Sequence, residues 1–444
     1  MKRRVIWAWC MYDWANSAYP LVISTALLPV YFTLVARDHP TQPVVWFAGQ
    51  RWESASLYSL TVSLSYAVNA VLVPLLSGIA DRSGWKKRFL NLFSTIGASA
   101  CIALAAFDRS RLPIGLLALF VASVGFNGSL VFYNAFLPEI APWRLHDRIS
   151  AKGYIFGYIG SSLLLIAIFS LLLVFELTGI MPSTNAAFLA VAPWSFVAVG
   201  LWWRGFAQIT LSVVPERISN EPLSVKNAIN TGWQTIRRTL SIAGKEFPIG
   251  LFLVSYLAAS MGVQSVILLA TLFGKQQLQL AESLLVGTIL LVQFVAAAGS
   301  WLCARLSEQI GNTKGLILIM LLWGIACLGA YVITTAVEFV FLSALVGLVL
   351  GGIQSQMRST FAKMVAQHPY HASLFSLYDI AEKIGTSAGM GIFSLVVAWT
   401  GSLRQGALVL AGAFLLSIVL MLSLHRHARV TERYRRITLP RYDQ

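Results

Sequence analysis

Twelve apolar segments, each about as long as a helix that crosses a lipid bilayer, follow one another along this chain of 444 residues. They lie near residues 6–35, 55–79, 89–107, 113–137, 151–175, 186–206, 248–272, 283–306, 315–336, 338–358, 372–400 and 405–424. In lipid, only helices and closed barrels satisfy all of their backbone hydrogen bonds. These segments are too long and too uniformly apolar for barrel strands. The sequence therefore predicts an all-α integral membrane protein with twelve transmembrane helices.

The composition excludes an ordinary soluble domain. Charged residues make up 11% of the chain and hydrophobic residues 57%, whereas a soluble domain carries about 25% charged residues. The net charge of +15 is of the kind that nucleic-acid-binding proteins have. Here, however, the basic residues stand in short segments between the apolar runs, as they do in cytoplasmic loops. We therefore expect membrane lipids as the surroundings and no nucleic-acid partner.

The distribution of Lys and Arg predicts the orientation. If the N-terminus is cytoplasmic, 26 of the 33 basic residues fall in cytoplasmic segments, six in external loops, and Lys383 inside a span. This asymmetry follows the positive-inside rule and places both termini in the cytoplasm, most simply at a bacterial inner membrane. The basic start, Lys2 to Arg4, resembles that of a signal peptide, but Asp13 interrupts the apolar run that follows. We interpret this run as an uncleaved first span.

The longest polar connection divides the chain into two halves of six spans. We expect an N-terminal half at 1–212, a cytoplasmic linker at 213–246, a C-terminal half at 247–425 and a basic cytoplasmic tail at 426–444. A weak internal repeat supports the division. The loops after spans two and eight align at one constant offset, with Asp81, Gly84 and Lys87 opposite Glu308, Gly311 and Lys314.

The loop after span two carries a recognisable motif of glycines and charged residues: Gly78, Asp81, Arg82, Gly84, Lys86 and Lys87. It resembles the loop motif of the major facilitator superfamily, which implies the twelve-helix fold of those transporters. Gly78 would let helices approach closely, and Gly84 would supply a sharp turn. Asp81 would accept hydrogen bonds from a helix N-terminus or from an arginine. The alternative is an ordinary charged turn.

Three further segments resemble the vacuolar-effluxer-like family within that superfamily. They are Tyr12-Asp13-Trp14-Ala15-Asn16-Ser17-Ala18-Tyr19, then Phe132-Tyr133-Asn134-Ala135-Phe136-Leu137-Pro138-Glu139, and then Gly351-Gly352-Ile353-Gln354 followed by Arg358-Ser359. The family includes a yeast member implicated in amino-acid efflux from the vacuole. The resemblance implies transport, in the direction of efflux. Span eleven departs from the family pattern, with Gly389-Met390 in place of Gly-Pro.

Charged residues inside membrane spans are costly and therefore candidates for function. Asp13 lies about 12 Å inside span one, and Asn16 shares its helical face. In span eleven, Asp379 and Lys383 form an i,i+4 pair in the favourable order. We expect these residues to bind substrate or to carry a coupling proton. The alternative is that both sets only hold the helices together.

Three other spans carry polar residues on one face: Tyr256, Ser260 and Gln264 in span seven, Asn127 and Asn134 in span four, and Gln354 and Arg358 in span ten. In the superfamily that the chain resembles, spans one, four, seven and ten line the central cavity. We therefore count these residues as candidates for a substrate site. Hydrogen bonding between helices is the competing interpretation.

The same sequence predicts no enzyme, no cofactor and no metal site. The cysteines lie in apolar stretches without metal-site spacing, so we expect packing roles and no disulfides. Gly385-Thr386-Ser387-Ala388-Gly389 matches a hydrolase motif but lies within a helix, where the glycines favour close packing. A nucleotide-binding loop is absent from the sequence. The prediction is a secondary transporter, a monomer, that exports a small polar or amphipathic solute with proton coupling. A lipid flippase, an intramembrane enzyme and a receptor are the alternatives.

Overall fold

A computed structural model describes residues 2–38, 44–216 and 225–438 of the chain. Twelve helices in this part of the chain are long and apolar enough to cross a membrane, and each overlaps one of the twelve predicted spans. The all-α membrane fold is therefore confirmed. Residues 39–43 of the first external loop, 217–224 of the linker and 439–444 of the tail lie outside the described residues.

Span one is broken into three helical pieces. The α-helix α1, Lys2–Asn16, leads into a stretch of wider π-helical turns at Tyr19–Leu27, and α2, Leu28–Val35, completes the span. Pro20 and Pro29 lack the N–H that a regular helix needs at those positions. The hydroxyl of Thr25 donates to the carbonyl of Pro20 at 2.8 Å, which satisfies one group in the irregular stretch.

The other helices follow in chain order. Their bounds are α3 Ser54–Ser83, α4 Lys86–Ala103, α5 Leu112–Asn134, α6 Leu137–Ile140, α7 His146–Thr178, α8 Thr184–Val213, α9 Val225–Lys245, α10 Phe247–Gln276, α11 Glu282–Ile310, α12 Asn312–Val332, α13 Ala336–Val365, α14 His371–Thr400 and α15 Leu403–Thr438. Short 3₁₀ turns occur at Leu104–Ala106, Arg109–Arg111 and Trp143–Leu145. Spans two to six are α3, α4, α5, α7 and α8, and spans seven to twelve are α10 to α15.

Two features of the connections were not predicted. In the first external loop, strands β1, Val44–Phe47, and β2, Gln50–Glu53, pair antiparallel around a turn at Ala48 and Gly49. Both turn residues have positive φ, as a tight hairpin requires. The predicted linker contains the helix α9, which continues almost directly into α10.

The chain forms two compact units. Unit 1 comprises Met1–Pro142, Lys152–Ile236 and His368–Ser376, and unit 2 comprises Trp143–Ala151, Arg237–Gln367 and Leu377–Gln444. The first turns of α7 and α14 therefore belong to a different unit from the remainder of the same helix. In unit 1, α4 packs against α5 and α8, while in unit 2, α11 packs against α13 and α12 against α15.

Small residues allow the closest of these helix contacts. In unit 1, a Cβ atom on Gly125 of α5 would lie 2.7 Å from the backbone nitrogen of Gly97 on α4. In unit 2, a Cβ on Gly351 of α13 would overlap the backbone of Ala296 on α11. Such contacts are typical of membrane helix pairs, because apolar side chains gain little by leaving lipid and close backbone packing takes over.

Candidate functional site

In unit 1, the Asp13 carboxylate is buried and bonded to a tyrosine from the second family-like segment. The hydroxyl of Tyr133 donates to Asp13 Oδ2 at 2.7 Å. Tyr133 is held in turn by Trp9, whose indole N–H donates to its backbone carbonyl and whose ring stacks on it at 4.5 Å. Tyr12 packs on the same ring at 4.8 Å. Two segments 120 residues apart in sequence thus meet around one intramembrane carboxylate.

The remaining side chains of the span-one segment fix the helix against its neighbours. The ring of Trp14 stacks on Trp202 of α8, whose indole N–H donates to the Trp14 carbonyl at 3.1 Å. The hydroxyls of Tyr19 and Ser123 are 2.8 Å apart. Asn16 is buried, and its side-chain oxygen lies 3.5 Å from the Ser17 hydroxyl. The segment therefore combines one charged group with a rigid aromatic setting.

The two asparagines of span four differ in their surroundings. Asn127 is buried, and its amide donates at 2.8 Å to the carbonyl of Ser123, one turn earlier on its own helix. Asn134, the last residue of α5, is half-buried. The Asn127 bond lies within one helix, so it is neither a substrate contact nor the hydrogen bond between helices that was the competing interpretation.

In unit 2, Glu382 of α14 accepts hydrogen bonds from two residues of the polar face predicted for span seven. The hydroxyl of Tyr256 donates to Oε2 of Glu382 at 2.8 Å, and the amide of Gln264 donates to Oε1 at 2.9 Å. Both residues belong to α10, eight positions apart, with the buried Ser260 midway between them. A Cβ on Gly385 would lie 3.0 Å from the Cβ of Ser260, so α10 and α14 pack closely here. The packing role predicted for Gly385 is confirmed.

The predicted pair of span eleven belongs to the same cluster. The ammonium of Lys383 lies 3.8 Å from a carboxylate oxygen of Asp379 and 3.8 Å from one of Glu382. Two carboxylates thus face one ammonium, which gives the cluster one net negative charge when all three are ionised. Their side chains keep 12%, 22% and 14% exposure for Asp379, Glu382 and Lys383. Glu382 is the most accessible of the three.

Aromatic rings form one wall beside this cluster. Tyr256 stacks on Tyr378 with ring centroids 4.0 Å apart, and Tyr378 stacks on Phe361 at 5.1 Å. Phe361 stacks in turn on Phe252 at 5.7 Å. The row holds the Tyr256 hydroxyl in position to donate to Glu382, because a stacked ring has little freedom to rotate away.

The loop motif forms a second site in unit 1. The Asp81 carboxylate accepts from the backbone N–H groups of Ala372 and Ser373 at 2.9 and 2.8 Å, in the first turn of α14. This is the helix N-terminus contact predicted for Asp81, and it is confirmed. The N-terminal turn of a helix has unsatisfied N–H groups and a partial positive charge, so a carboxylate is stabilised there.

The other motif residues build a charged network around that contact. Lys86 lies 3.2 Å from Asp81 and also donates to Glu139, which in turn is 3.1 Å from Nδ1 of His371. The Lys87 ammonium donates to the carbonyl of Val214.

The remaining three motif residues are an exposed arginine and two glycines. Arg82 is exposed, and Gly84 ends α3 with a φ of 78°, the sharp turn that was predicted. Gly78 packs against the linker helix, where a Cβ would lie 2.8 Å from the carbonyl oxygen of Gly232. The close approach predicted for Gly78 is therefore confirmed.

The repeat of this motif in unit 2 uses side chains instead of a helix end. Glu308, the counterpart of Asp81, pairs with Arg148 from the first turn of α7, with one contact of 2.7 Å to the guanidinium. The neighbouring Asp147 accepts from Lys363 and, at 2.7 Å, from Asn312. The second copy of the motif therefore also contacts the first turn of a helix, through different groups.

Arg358 of span ten belongs to this second network. It is buried, and its guanidinium donates to the hydroxyl and carbonyl of Ser150 at 2.9 and 2.8 Å. The Ser150 hydroxyl also donates to the carbonyl of Ser355 at 2.8 Å. Gln354, predicted to share a face with Arg358, is half-buried. The structure thus brings Arg358 to the start of α7.

Three groups that complete these sites were not among the predicted site residues: Glu139, His371 and Asp147. Glu382 was predicted only as one of the acids of span eleven that could carry a coupling proton. Glu139 ends the second family-like segment, so its place in a recognised pattern was an available signal. Glu382 was visible as a third charge in span eleven, but only the rotation of α14 against α10 distinguishes it from its neighbours. Among residues 2–38, 44–216 and 225–438, no group of three or more His, Cys, Asp or Glu side chains is arranged to hold a metal ion.

Comparison with solved structures supports the assignment of the fold. The human organic anion transporter MFSD10 superposes with a TM-score of 0.68 at 14% sequence identity, covering 95% of this chain and 99% of that one. The E. coli fucose:proton symporter FucP gives a TM-score of 0.65 at 13% identity, with 95% and 98% coverage. At such identities the likeness establishes the major facilitator fold.

Sequence relatives establish the family. The chain is 30% identical over 417 residues to the uncharacterized MFS-type transporter YxiO of Bacillus subtilis, covering 93% of each. It is 24% identical over 542 residues to autophagy-related protein 22-1 of Penicillium rubens, covering 95% of this chain and 90% of that protein. The model of the family described as vacuole effluxer Atg22 like matches residues 1–432. With this match, the chain is a multi-pass transporter of the major facilitator type that belongs to the vacuole effluxer Atg22-like family.

Proposed function

We propose that the protein is a secondary active transporter that exports a small polar or amphipathic solute, with amino acids as the first candidates, by proton-coupled alternating access. The observation that carries the proposal is the cluster of Asp379, Glu382 and Lys383 within a membrane span. Charged groups are expensive at such positions and are rare there without a function. Glu382 receives both of its donors from α10, so two helices are engaged by one carboxylate.

The chemistry of the cluster favours a solute that carries an amino group. Its carboxylates outnumber its ammonium, so an added positive charge balances the site. A zwitterionic amino acid would place its ammonium near Glu382 and its carboxylate near Lys383. We assign the coupling proton to Asp13, the buried carboxylate of span one, or to a carboxylate of this cluster, where a proton provides the same balance when the solute has left.

The networks at the starts of α7 and α14 suit a transporter that alternates between two states. The Asp81 network holds the start of α14, and the networks of Glu308 and Asp147 hold the start of α7. Contacts of this kind stabilise one state and must be released for the other. By the positive-inside pattern, we assign these networks to the cytoplasmic side.

Transport by purified protein in proteoliposomes tests the proposal. A panel of radiolabelled neutral, basic and acidic amino acids is loaded into the vesicles, and efflux is followed with and without a pH gradient. We expect gradient-dependent efflux of at least one class, lost in Glu382→Gln and retained in Glu176→Gln, an exposed carboxylate of α7 outside the cluster. Equal transport by the wild type and Glu382→Gln, at matched amounts of folded protein, contradicts the role of the cluster.

A further inference from the structure

The linker helix α9, Val225–Lys245, has an exposed edge on which aromatic, aliphatic and basic residues follow one another. Trp233 is 51% exposed and Leu240 is 53% exposed. They are seven residues apart and so lie on the same side of the helix. Arg237, four residues after Trp233, borders this edge and is also exposed. On the membrane spans exposed apolar side chains face lipid, but α9 is not one of the twelve candidate spans, so its edge requires an explanation of its own.

The opposite side of α9 is already occupied. Gly232 packs on the carbonyl of Leu75 and on Gly78 of α3, and a Cβ at Gly232 would lie 2.7 Å from the Leu75 oxygen. Thr235 and Thr239 are buried on the same side. The part of the helix around Gly232 is therefore fixed in its rotation, with Trp233 exposed, and Leu240 lies on the same side of α9 as Trp233.

Charge and chain continuity identify what covers the edge. Between Val225 and Lys245 the sequence has four basic residues, Lys226, Arg237, Arg238 and Lys245, and no acidic residue. Only Glu246 separates α9 from Phe247, where the seventh membrane span begins. The end of α9 is thus confined to the level of the lipid headgroups. A helix with Trp and Leu beside arginines matches the pattern of helices that lie in the interface of an anionic bilayer.

We propose that α9 is an interfacial helix that binds anionic phospholipid, with Trp233 and Leu240 inserted at the headgroup level, Arg237 contacting lipid phosphates and Arg238 adding positive charge near the surface. Since each basic residue near such a surface strengthens attraction about five-fold, two arginines account for a marked preference for anionic over zwitterionic lipid. Because Gly232 packs on Gly78, the bound helix also holds the loop motif close to the membrane surface.

Spin labels at neighbouring positions of α9 test the proposal on the full-length protein in nanodiscs. A nitroxide is attached to Leu240→Cys on the apolar edge, and as a matched control to Ser241→Cys on the polar side. Collisions with oxygen, which partitions into lipid, are compared with collisions with a soluble nickel chelate. The four native cysteines are buried, and labelling of the unsubstituted protein measures their background.

In nanodiscs of phosphatidylglycerol and phosphatidylcholine, we expect the Leu240 label to favour oxygen and the Ser241 label to favour the nickel chelate. Substituting both arginines, Arg237→Gln and Arg238→Gln, or using phosphatidylcholine alone, should shift the Leu240 label toward nickel. The control Arg144→Gln with Lys314→Gln, which removes two exposed charges elsewhere, should leave it unchanged.

Three outcomes would overturn the inference. Equal nickel accessibility at both positions in anionic nanodiscs means that the edge faces water. An immobile Leu240 label shielded from both reagents means that protein covers the edge. If the Leu240 label inserts whether or not anionic lipid, Arg237 and Arg238 are present, the arginines do not contact lipid headgroups. Because the readout is accessibility, none of these results depends on whether the proposed transport substrate is correct.

Discussion

At the scale of single residues, two membrane-embedded carboxylates have different partners. Asp13 accepts from the neutral phenol of Tyr133 in an aromatic setting, whereas Glu382 accepts from Tyr256 and Gln264 and also lies near Lys383. A hydrogen bond to a buried charged group contributes about 1.5–3 kcal/mol. The ionised form of each carboxylate is therefore strongly stabilised by its donors. Variants that remove either the charge or the donor distinguish a role in proton coupling from a purely structural role.

The first prediction concerns Asp13. In Asp13→Asn we expect proton-driven transport to be abolished while solute exchange without a gradient continues, because an amide cannot carry the proton. Tyr133→Phe keeps the carboxylate and removes only the donor, so its gradient dependence should persist at a lower rate. Transport in proteoliposomes, normalised to folded protein, measures both. If the two variants merely yield less folded protein and behave alike per molecule, Asp13 is structural.

The second prediction concerns Lys383. In Lys383→Ala we expect weaker solute binding, because the proposed contact between the Lys383 ammonium and a solute carboxylate is lost. The loss of one charge-assisted contact corresponds to an affinity lower by about ten-fold or more. Concentration dependence of counterflow gives the affinity separately from the maximal rate. An unchanged half-saturation concentration in Lys383→Ala would show that the lysine only neutralises its neighbours.

At the scale of secondary structure elements, the two copies of the loop motif contact the first turns of α14 and α7 through groups of unequal burial. The Asp81 side chain is 1% exposed and caps backbone N–H groups, whereas the Arg148 side chain is 69% exposed in its pair with Glu308. Buried charge-assisted contacts are worth considerably more than exposed ion pairs, which contribute about 0–1 kcal/mol. The two copies of the loop motif should thus differ in their effect on transport.

This difference is the third prediction. Asp81→Asn should lower turnover about ten-fold or more while the protein still inserts, because the contact with the start of α14 loses its charge. Glu308→Gln should change turnover less than about five-fold, since its partner is largely in water. Vesicle transport with quantified membrane insertion compares them directly. Normal turnover of Asp81→Asn would refute the role of the loop motif in the cycle.

At the scale of the whole molecule, twelve spans and a basic excess in one set of loops lead to the fourth prediction, that both termini are cytoplasmic. An alkaline phosphatase or fluorescent reporter fused after Gln444 should report the cytoplasm, and a reporter inserted near Gln42 should report the outside. The same side for both positions would exclude the topology and with it the assignment of the loop-motif networks to the cytoplasm.

The sequence by itself determined the number of spans, their positions to within eight residues at either end, and the turn at Gly84. These features depend on local properties: a bilayer requires about 20 apolar residues per helix, and a positive φ favours glycine. The family-like segments also marked Asp13, Tyr133 and Glu139 as a set, although nothing in their spacing indicated that Tyr133 bonds Asp13.

Only the tertiary structure decided which polar groups meet. Glu382 rather than Asp379 receives Tyr256 and Gln264, Arg358 lies at the start of α7, and the first turns of α7 and α14 belong to the opposite units. Helical periodicity gives the face on which a side chain lies, but it does not give the rotation and depth of one helix relative to another. Those are set by close packing at positions such as Gly385 and Ser260, where partners far apart in sequence come into contact.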